Sequence, residues 1–124
     1  MDLKKCIRSI PDYPKKGILF RDITTLIKDE KAFAETIDQI VERSKRFNFD
    51  KIAAIESRGF VFASAVSYIL NKPFIMLRKK NKLPADVHSV DFELEYGTAT
   101  IEVHKDSVDK NDNVLIIDDL IATG

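Results

Sequence analysis

A chain of 124 residues has room for one domain and is too short for two comfortable ones. Its 44% hydrophobic and 32% charged content is that of an ordinary soluble globular protein. Lys plus Arg and Asp plus Glu both number 20, so the net charge is zero and nothing in the balance draws the chain to nucleic acid or to an acidic membrane surface. Cys6, the single cysteine, has no internal partner for a disulfide, which points to a reducing cytoplasm. His88 and His104 lie far apart, without cysteine or a second histidine at ligand spacing, so no protein-held metal site is expected. Met1 to Ile10 holds no apolar run of the signal-peptide kind, and no stretch approaches the roughly 20 apolar residues of a membrane span.

Along the chain, Asp2 to Ser9 reads as a short helix stopped by Pro11, with Pro14 and Gly17 punctuating the loop that carries Phe20, Arg21 and Asp22. Lys31 to Phe47 is the clearest helix. Phe33, Ile37, Ile40, Val41 and Ser44 recur at steps of three and four, and Asp29 is placed to cap it. Ile52 to Ile55 is a short apolar run expected as a buried strand, followed at once by Glu56-Ser57-Arg58-Gly59. A helix over Phe60 to Leu70 ends at Asn71-Lys72-Pro73, and Phe74 to Leu77 forms a second buried strand. Arg78 to Asp91 reads as a long basic loop, a type that is usually functional or mobile. A hairpin follows, Phe92 to Tyr96 and Thr98 to Val103, turning at Gly97. Asp106 to Asn113 is a polar turn, and Val114 to Ile117 is expected as a third buried strand entering Asp118-Asp119.

Apolar strands joined by helical crossovers predict a parallel α/β sheet covered by helices, whose ligands bind beyond the C-terminal strand ends. All three main strands end in chemically useful residues. Asp118 and Asp119 could accept hydrogen bonds from a vicinal diol or hold a divalent cation through water; a solvated turn is the plain alternative. Ala122-Thr123-Gly124 after them suits a turn whose backbone N–H groups face an anion. Ser57 and Arg58 could bind phosphate oxygens, Arg58 through its planar fork, or could be no more than a helix cap and a surface arginine. Arg78, Lys79 and Lys82 would ordinarily be a solvated loop; at the end of a buried strand they suit a polyphosphate clamp.

These segments together resemble the type I phosphoribosyltransferases. Val114 to Gly124 is similar to the signature by which that family binds 5-phosphoribosyl-1-pyrophosphate. Asp12-Tyr13-Pro14, Gly17 to Thr24, Glu56 to Phe60, Lys82-Leu83-Pro84 and Leu94-Glu95-Tyr96-Gly97 narrow the resemblance to the adenine-specific branch, in order and spacing, from about Ile7 onward. The resemblance implies a parallel-sheet α/β core, truncated, with a small N-terminal hood over residues 1–30, the partial core over 31–124, and a flexible hairpin loop. It implies a glycosyltransferase of purine salvage that converts adenine and 5-phosphoribosyl-1-pyrophosphate to AMP and pyrophosphate with Mg²⁺, as a cytoplasmic homodimer. Asp118 and Asp119 would take the ribose hydroxyls, and Ala122, Thr123 and Gly124 would begin the 5′-phosphate loop. Ser57, Arg58, Arg78, Lys79 and Lys82 would meet pyrophosphate. Glu95 would handle the proton at the base with Tyr96 beside it, and Phe20 and Arg21 would line the adenine pocket. Mg²⁺ would be carried mainly by the substrate pyrophosphate, with no protein metal site.

The chain departs from the family pattern at Asn81, where Gly is usual, and at Phe92, where Tyr is common. The signature stops at Gly124, where it would continue with Gly-Thr, so the helix facing the phosphate and further strands lie outside the resemblance. A terminal carboxylate there would oppose phosphate binding, and Val114 to Ile117 would lose a covering layer. A catalytically inactive purine-nucleotide-binding or interaction module is the alternative expectation. A phospho-acceptor built on Asp118-Asp119 leaves the other four motifs unexplained.

Overall fold

The computed structural model describes residues 1–94 and 97–120. The chain divides into two compact units, Met1–Ser44 and Lys45–Gly124.

In the first unit Asp2 caps a 3₁₀ turn, Leu3–Cys6, by accepting the Lys4 N–H. Strand β1 (Arg8–Ile10) then pairs antiparallel with β2 (Phe20–Asp22), Ser9 opposite Arg21. The helix expected over Asp2 to Ser9 is a 3₁₀ turn that stops at Cys6, and a two-stranded ribbon takes the place of its end and of the loop expected at Arg21-Asp22. Asp22 is the physical reason. Its buried carboxylate takes the Arg8 guanidinium through Nε and Nη2, and the Thr24 N–H and hydroxyl at 2.9 and 2.6 Å. The Thr24 hydroxyl first and then Arg8 hold that carboxyl down at about 2. Helix α1 (Thr24–Ile27) starts from this acid, and the Thr25 hydroxyl donates back to the Cys6 carbonyl at 2.6 Å.

Between the strands, Asp12 sits at φ +56° and its Oδ1 accepts the Gly17 N–H at 2.8 Å, while the Tyr13–Pro14 peptide is cis. The Tyr13 ring meets Phe20 edge-on, centroids 5.1 Å apart. Helix α2 (Glu30–Ser44) has the predicted cap, Asp29 Oδ1 accepting the N–H groups of Lys31 and Ala32. It ends three residues earlier than expected, where the Ser44 hydroxyl turns back to the Val41 carbonyl at 2.7 Å.

The second unit is a five-stranded sheet in the order β5-β6-β4-β3-β7. Strand β3 (Lys51–Ile55) lies parallel to both β4 (Phe74–Lys79) and β7 (Val114–Ile116), with Ala53 opposite Ile75 on one side and Ile116 on the other. Ile52, Ala53, Ala54 and Ile75 are buried there, as continuous apolar runs require. Helix α3 (Arg58–Leu70) makes the crossover from β3 to β4, burying Phe62, Ala63 and Val66. Asn71 closes it in the left-handed conformation, its N–H turned back to Ser67 and Tyr68 carbonyls, and Pro73 follows.

The basic segment differs from the expected loop. β4 runs on through Arg78 and Lys79, because beyond its parallel neighbour it pairs antiparallel with β6 (Gly97–His104), Arg78 opposite Glu102. β5 (Val87–Leu94) starts five residues before the expected Phe92 and pairs with β6 from Val87–His104 to Leu94–Gly97. The alternation Ser89-Val90-Asp91-Phe92-Glu93 is a strand signal that the basic character of the preceding residues masked. The polar turn 105–113 is clamped to β3 by Lys51, whose ammonium reaches Asp112 at 2.6 Å, the Ser107 carbonyl at 3.0 Å and Asp109 at 3.5 Å. The hydrogen bond to Asp112 is the main reason that its pKa is raised. No helix of the described residues is long and apolar enough to cross a membrane.

Candidate active site

Three segments leave the C-terminal ends of the parallel strands: Glu56–Gly59 after β3, Arg78–Lys79 at the end of β4, and Asp118–Asp119 after β7. The fold brings all three into contact. Arg58 Nε meets Asp119 Oδ2 at 2.9 Å, joining the β3 and β7 ends. Arg78 Nε meets Glu56 Oε1 at 3.3 Å, and the Lys79 N–H donates to the same oxygen at 2.7 Å, joining the β3 and β4 ends.

Gly59 makes the first junction possible. A Cβ at this position would lie 3.0 Å from Asp118 Oδ1, 3.2 Å from the Ile117 carbonyl oxygen and 3.4 Å from Ala54 Cβ. The Asp118 carboxylate therefore rests over the start of α3 only because that residue has no side chain. Asp118 Oδ1 also accepts the Asp119 N–H at 2.8 Å, which fixes the two acids relative to each other.

The electrostatics of the two acids at these junctions are opposite. Burial pushes the Asp119 carboxyl above the ordinary carboxylate range, and the neighbouring Asp118 adds to the rise while Arg58 opposes it. Glu56 is held below its usual value, chiefly by the Lys79 N–H, which outweighs the cost of burial, and then by the Arg78 charge. Ser57 stands at the N-cap of α3, makes no side-chain cap bond, and is exposed; the Glu56–Ser57 peptide is cis. Lys79 and Lys82 are exposed, with the Lys82 N–H tied to the Lys79 carbonyl at 3.3 Å.

Ser57, Arg58, Arg78, Lys79, Asp118 and Asp119 thus gather at one end of the sheet, with Lys82 three residues beyond Lys79. Phe20 and Arg21 belong to the first unit, where Phe20 meets Tyr13 edge-on and Arg21 Nη1 donates to the Ser9 hydroxyl at 2.6 Å. Glu95, Tyr96, Ala122, Thr123 and Gly124 lie outside the described residues.

Sequence reasoning passed over Glu56 as a site residue, although it lies inside the quoted Glu-Ser-Arg-Gly motif. A carboxylate directly after a buried strand and before an arginine was the available signal. Glu102 was also missed. It is buried on β6 and accepts the Asn81 N–H at 2.9 Å and the Ser89 hydroxyl at 2.6 Å, and these bonds, Ser89's first, lower its pKa. Asn81 itself has φ +67°, a conformation that glycine adopts freely and asparagine tolerates.

A family model for the phosphoribosyl transferase domain matches residues 23–124. The chain is 83% identical over its full length to the adenine phosphoribosyltransferase of Pelagibacter ubique, of which it covers 71%. Among solved structures, it is similar to the adenine phosphoribosyltransferase of Thermoanaerobacter pseudethanolicus, with a TM-score of 0.94 and 49% identity over 99% of this chain and 72% of that one. The Saccharomyces cerevisiae enzyme, complexed with an imino-altritol bisphosphate and adenine, gives a TM-score of 0.90 at 34% identity over 99% of this chain and 72% of that one. The strand-end cluster, the mixed sheet that carries it and these matches agree: the chain belongs to the adenine phosphoribosyltransferase family.

Proposed function

We infer that the protein transfers the phosphoribosyl group of 5-phosphoribosyl-1-pyrophosphate to N9 of adenine, giving AMP and pyrophosphate. The observation that carries this reading is the Arg58–Asp119 contact at 2.9 Å, with Asp118 lying over Gly59. It sets an anion-binding fork one side chain away from two carboxylates suited to a vicinal diol.

In the reaction, the bond from ribose C1 to the pyrophosphate oxygen breaks with its electron pair going to pyrophosphate. The N9–C1 bond forms, and the proton of N9 is released. Charge develops at two places, positive on the ribose ring and negative on the leaving group. Asp118 and Asp119 accept hydrogen bonds from the ribose hydroxyls, hold the ring in one orientation and oppose the ring's positive charge. Ser57, Arg58, Arg78, Lys79 and Lys82 receive the leaving anion, the arginines by planar two-point contact. As pyrophosphate engages Arg58, the ribose hydroxyls replace the guanidinium as donors to Asp119. Ala122, Thr123 and Gly124 begin the cradle for the 5′-phosphate. Glu95 takes the proton shed at the base with Tyr96 beside it, and Phe20 and Arg21 of the hood, residues 1–30, contribute to the adenine pocket.

The donor chemistry fits Mg²⁺ carried by the substrate. Hard carboxylate oxygens at Asp118 and Asp119 suit such an ion, and Arg58 already engages Asp119. When bound, the ion neutralises part of the pyrophosphate charge. A homodimer in the cytoplasm, the compartment that suits the lone Cys6, completes the reading.

The test is AMP formation from adenine, 5-phosphoribosyl-1-pyrophosphate and Mg²⁺ by the purified chain. The expected result is turnover that falls roughly 10²–10³-fold in Asp118→Asn/Asp119→Asn. A well-folded chain with no turnover, or a double variant as active as the parent, overturns it.

A further inference from the structure

Glu56 stands between the two basic arms of the site. Its carboxylate Oε1 accepts the Lys79 N–H at 2.7 Å and the Arg78 Nε–H at 3.3 Å, and its own N–H donates to the Leu77 carbonyl at 3.0 Å. One residue therefore welds the end of β3, where the Ser57–Arg58 loop begins, to the end of β4 at three points. The side chain is only 13% exposed, so the geometry is enclosed rather than a passing surface pair. Arg78 spends Nε on this contact; among the described residues its Nη1 and Nη2 atoms make no hydrogen bond or ion pair. The guanidinium is thus gripped by its inner edge and presents its outer pair of nitrogens, the pair that binds two oxygens of an anion side by side.

We propose that Glu56 is a positioning residue for the pyrophosphate subsite: it fixes Arg78 and the Lys79 backbone relative to the Ser57–Arg58 loop so that both basic arms meet one anion. This rests on the phosphoribosyl-transfer reading above and adds to it a residue that touches no substrate. Charge alone argues the opposite way. A carboxylate beside an anion site repels the anion, so removing it should tighten binding unless the acid's hold on Arg78 is worth more than its repulsion. The sign of the effect separates the two accounts.

The experiment is isothermal titration of the purified chain with magnesium pyrophosphate, for the parent, Glu56→Ala, Glu56→Gln, Arg78→Ala and the Glu56→Ala/Arg78→Ala pair. Glu56→Ala should weaken pyrophosphate binding about tenfold, the scale of one lost charge-assisted hydrogen bond. Glu56→Gln keeps an oxygen for the Lys79 N–H and Arg78, and should restore most of the loss. With Arg78 already removed, the Glu56→Ala penalty should shrink to about twofold or less, as coupled residues require. Binding as tight as the parent's or tighter in Glu56→Ala, or the same penalty with and without Arg78, overturns the proposal. If Glu56→Ala does not fold, Glu56→Gln decides: it removes the repelling charge and keeps the acceptor oxygen, so binding equal to the parent's or a little weaker supports positioning, and tighter binding refutes it. A parent chain that binds no pyrophosphate removes the underlying subsite, an outcome distinct from any failure of Glu56 alone.

Discussion

At Gly59 two energetic effects of opposite sign meet. Alanine in place of glycine within a helix contributes up to about 1 kcal/mol of stability. Against that, the added methyl would stand 3.0 Å from Asp118 Oδ1 and 3.2 Å from the Ile117 backbone oxygen. The carboxylate could rotate away, but the carbonyl belongs to the stretch that leaves β7 and yields less readily. Overpacking of this kind costs about 1–3 kcal/mol. Gly59→Ala should therefore lower the melting temperature by only a few degrees, because the two effects partly cancel. The damage should fall on the site, since whichever atom moves takes Asp118 with it. The expectation is a KM for 5-phosphoribosyl-1-pyrophosphate raised about tenfold or more, with the KM for adenine little changed. A variant that melts several degrees lower while keeping both KM values would mean that Asp118 tolerates the shift. Asp119 is the other residue where a balance decides: burial and then Asp118 raise its pKa while Arg58 opposes the rise.

Elements show most clearly what a sequence exposes and what it conceals. Ile52 to Ile55 and Phe74 to Leu77 are legible as strands because burial demands apolar runs; Val114 to Ile117 reads the same way, but as an edge strand it leaves Val114 and Ile116 exposed, and the ends of all three follow as the site. The β1–β2 ribbon is not legible, because three-residue strands carry no periodicity and depend on Asp22 holding Arg8 fourteen positions away. Glu56 and Glu102 are concealed for the same reason: their partners, Lys79 and Asn81, lie 23 and 21 residues off and leave no local pattern. The Glu102 network belongs to this scale, since it fastens β6 to the first residues after β4 and to β5. Glu102→Leu would leave the Asn81 N–H and the Ser89 hydroxyl without their acceptor, at about 1–3 kcal/mol. The hairpin should loosen while the parallel core holds. Hydrogen exchange should quicken at Asn81 and in β5 while Ile52 to Ile55 stay protected; uniform quickening would make Glu102 a support of the whole sheet.

On the scale of the molecule, the sheet presents an unpaired edge. Among the described residues β7 pairs with β3 on one side and with no strand on the other. Val114 and Ile116 share a face of that strand and are 38% and 58% exposed, and Leu120 beyond it is 65% exposed. Two effects reinforce each other here. Free N–H and C=O groups along an edge are a template for another chain, and apolar side chains beside them add burial to each such pairing. Charge does not oppose association, because the net charge is zero and no long-range repulsion keeps copies apart. The 124-residue chain by itself should therefore self-associate into large species as its concentration rises. Ile116→Lys places a charge on the edge strand, a device by which sheet edges are kept from pairing, and costs little in the fold because the side chain is more than half exposed. Sedimentation velocity over a hundredfold range of concentration should show larger species in the parent and far fewer in Ile116→Lys, with any discrete dimer surviving in both. Identical profiles would acquit the β7 edge and move the search to the exposed Val61, Tyr68 and Ile69 of α3. Loss of any discrete dimer together with the larger species would place its interface on β7.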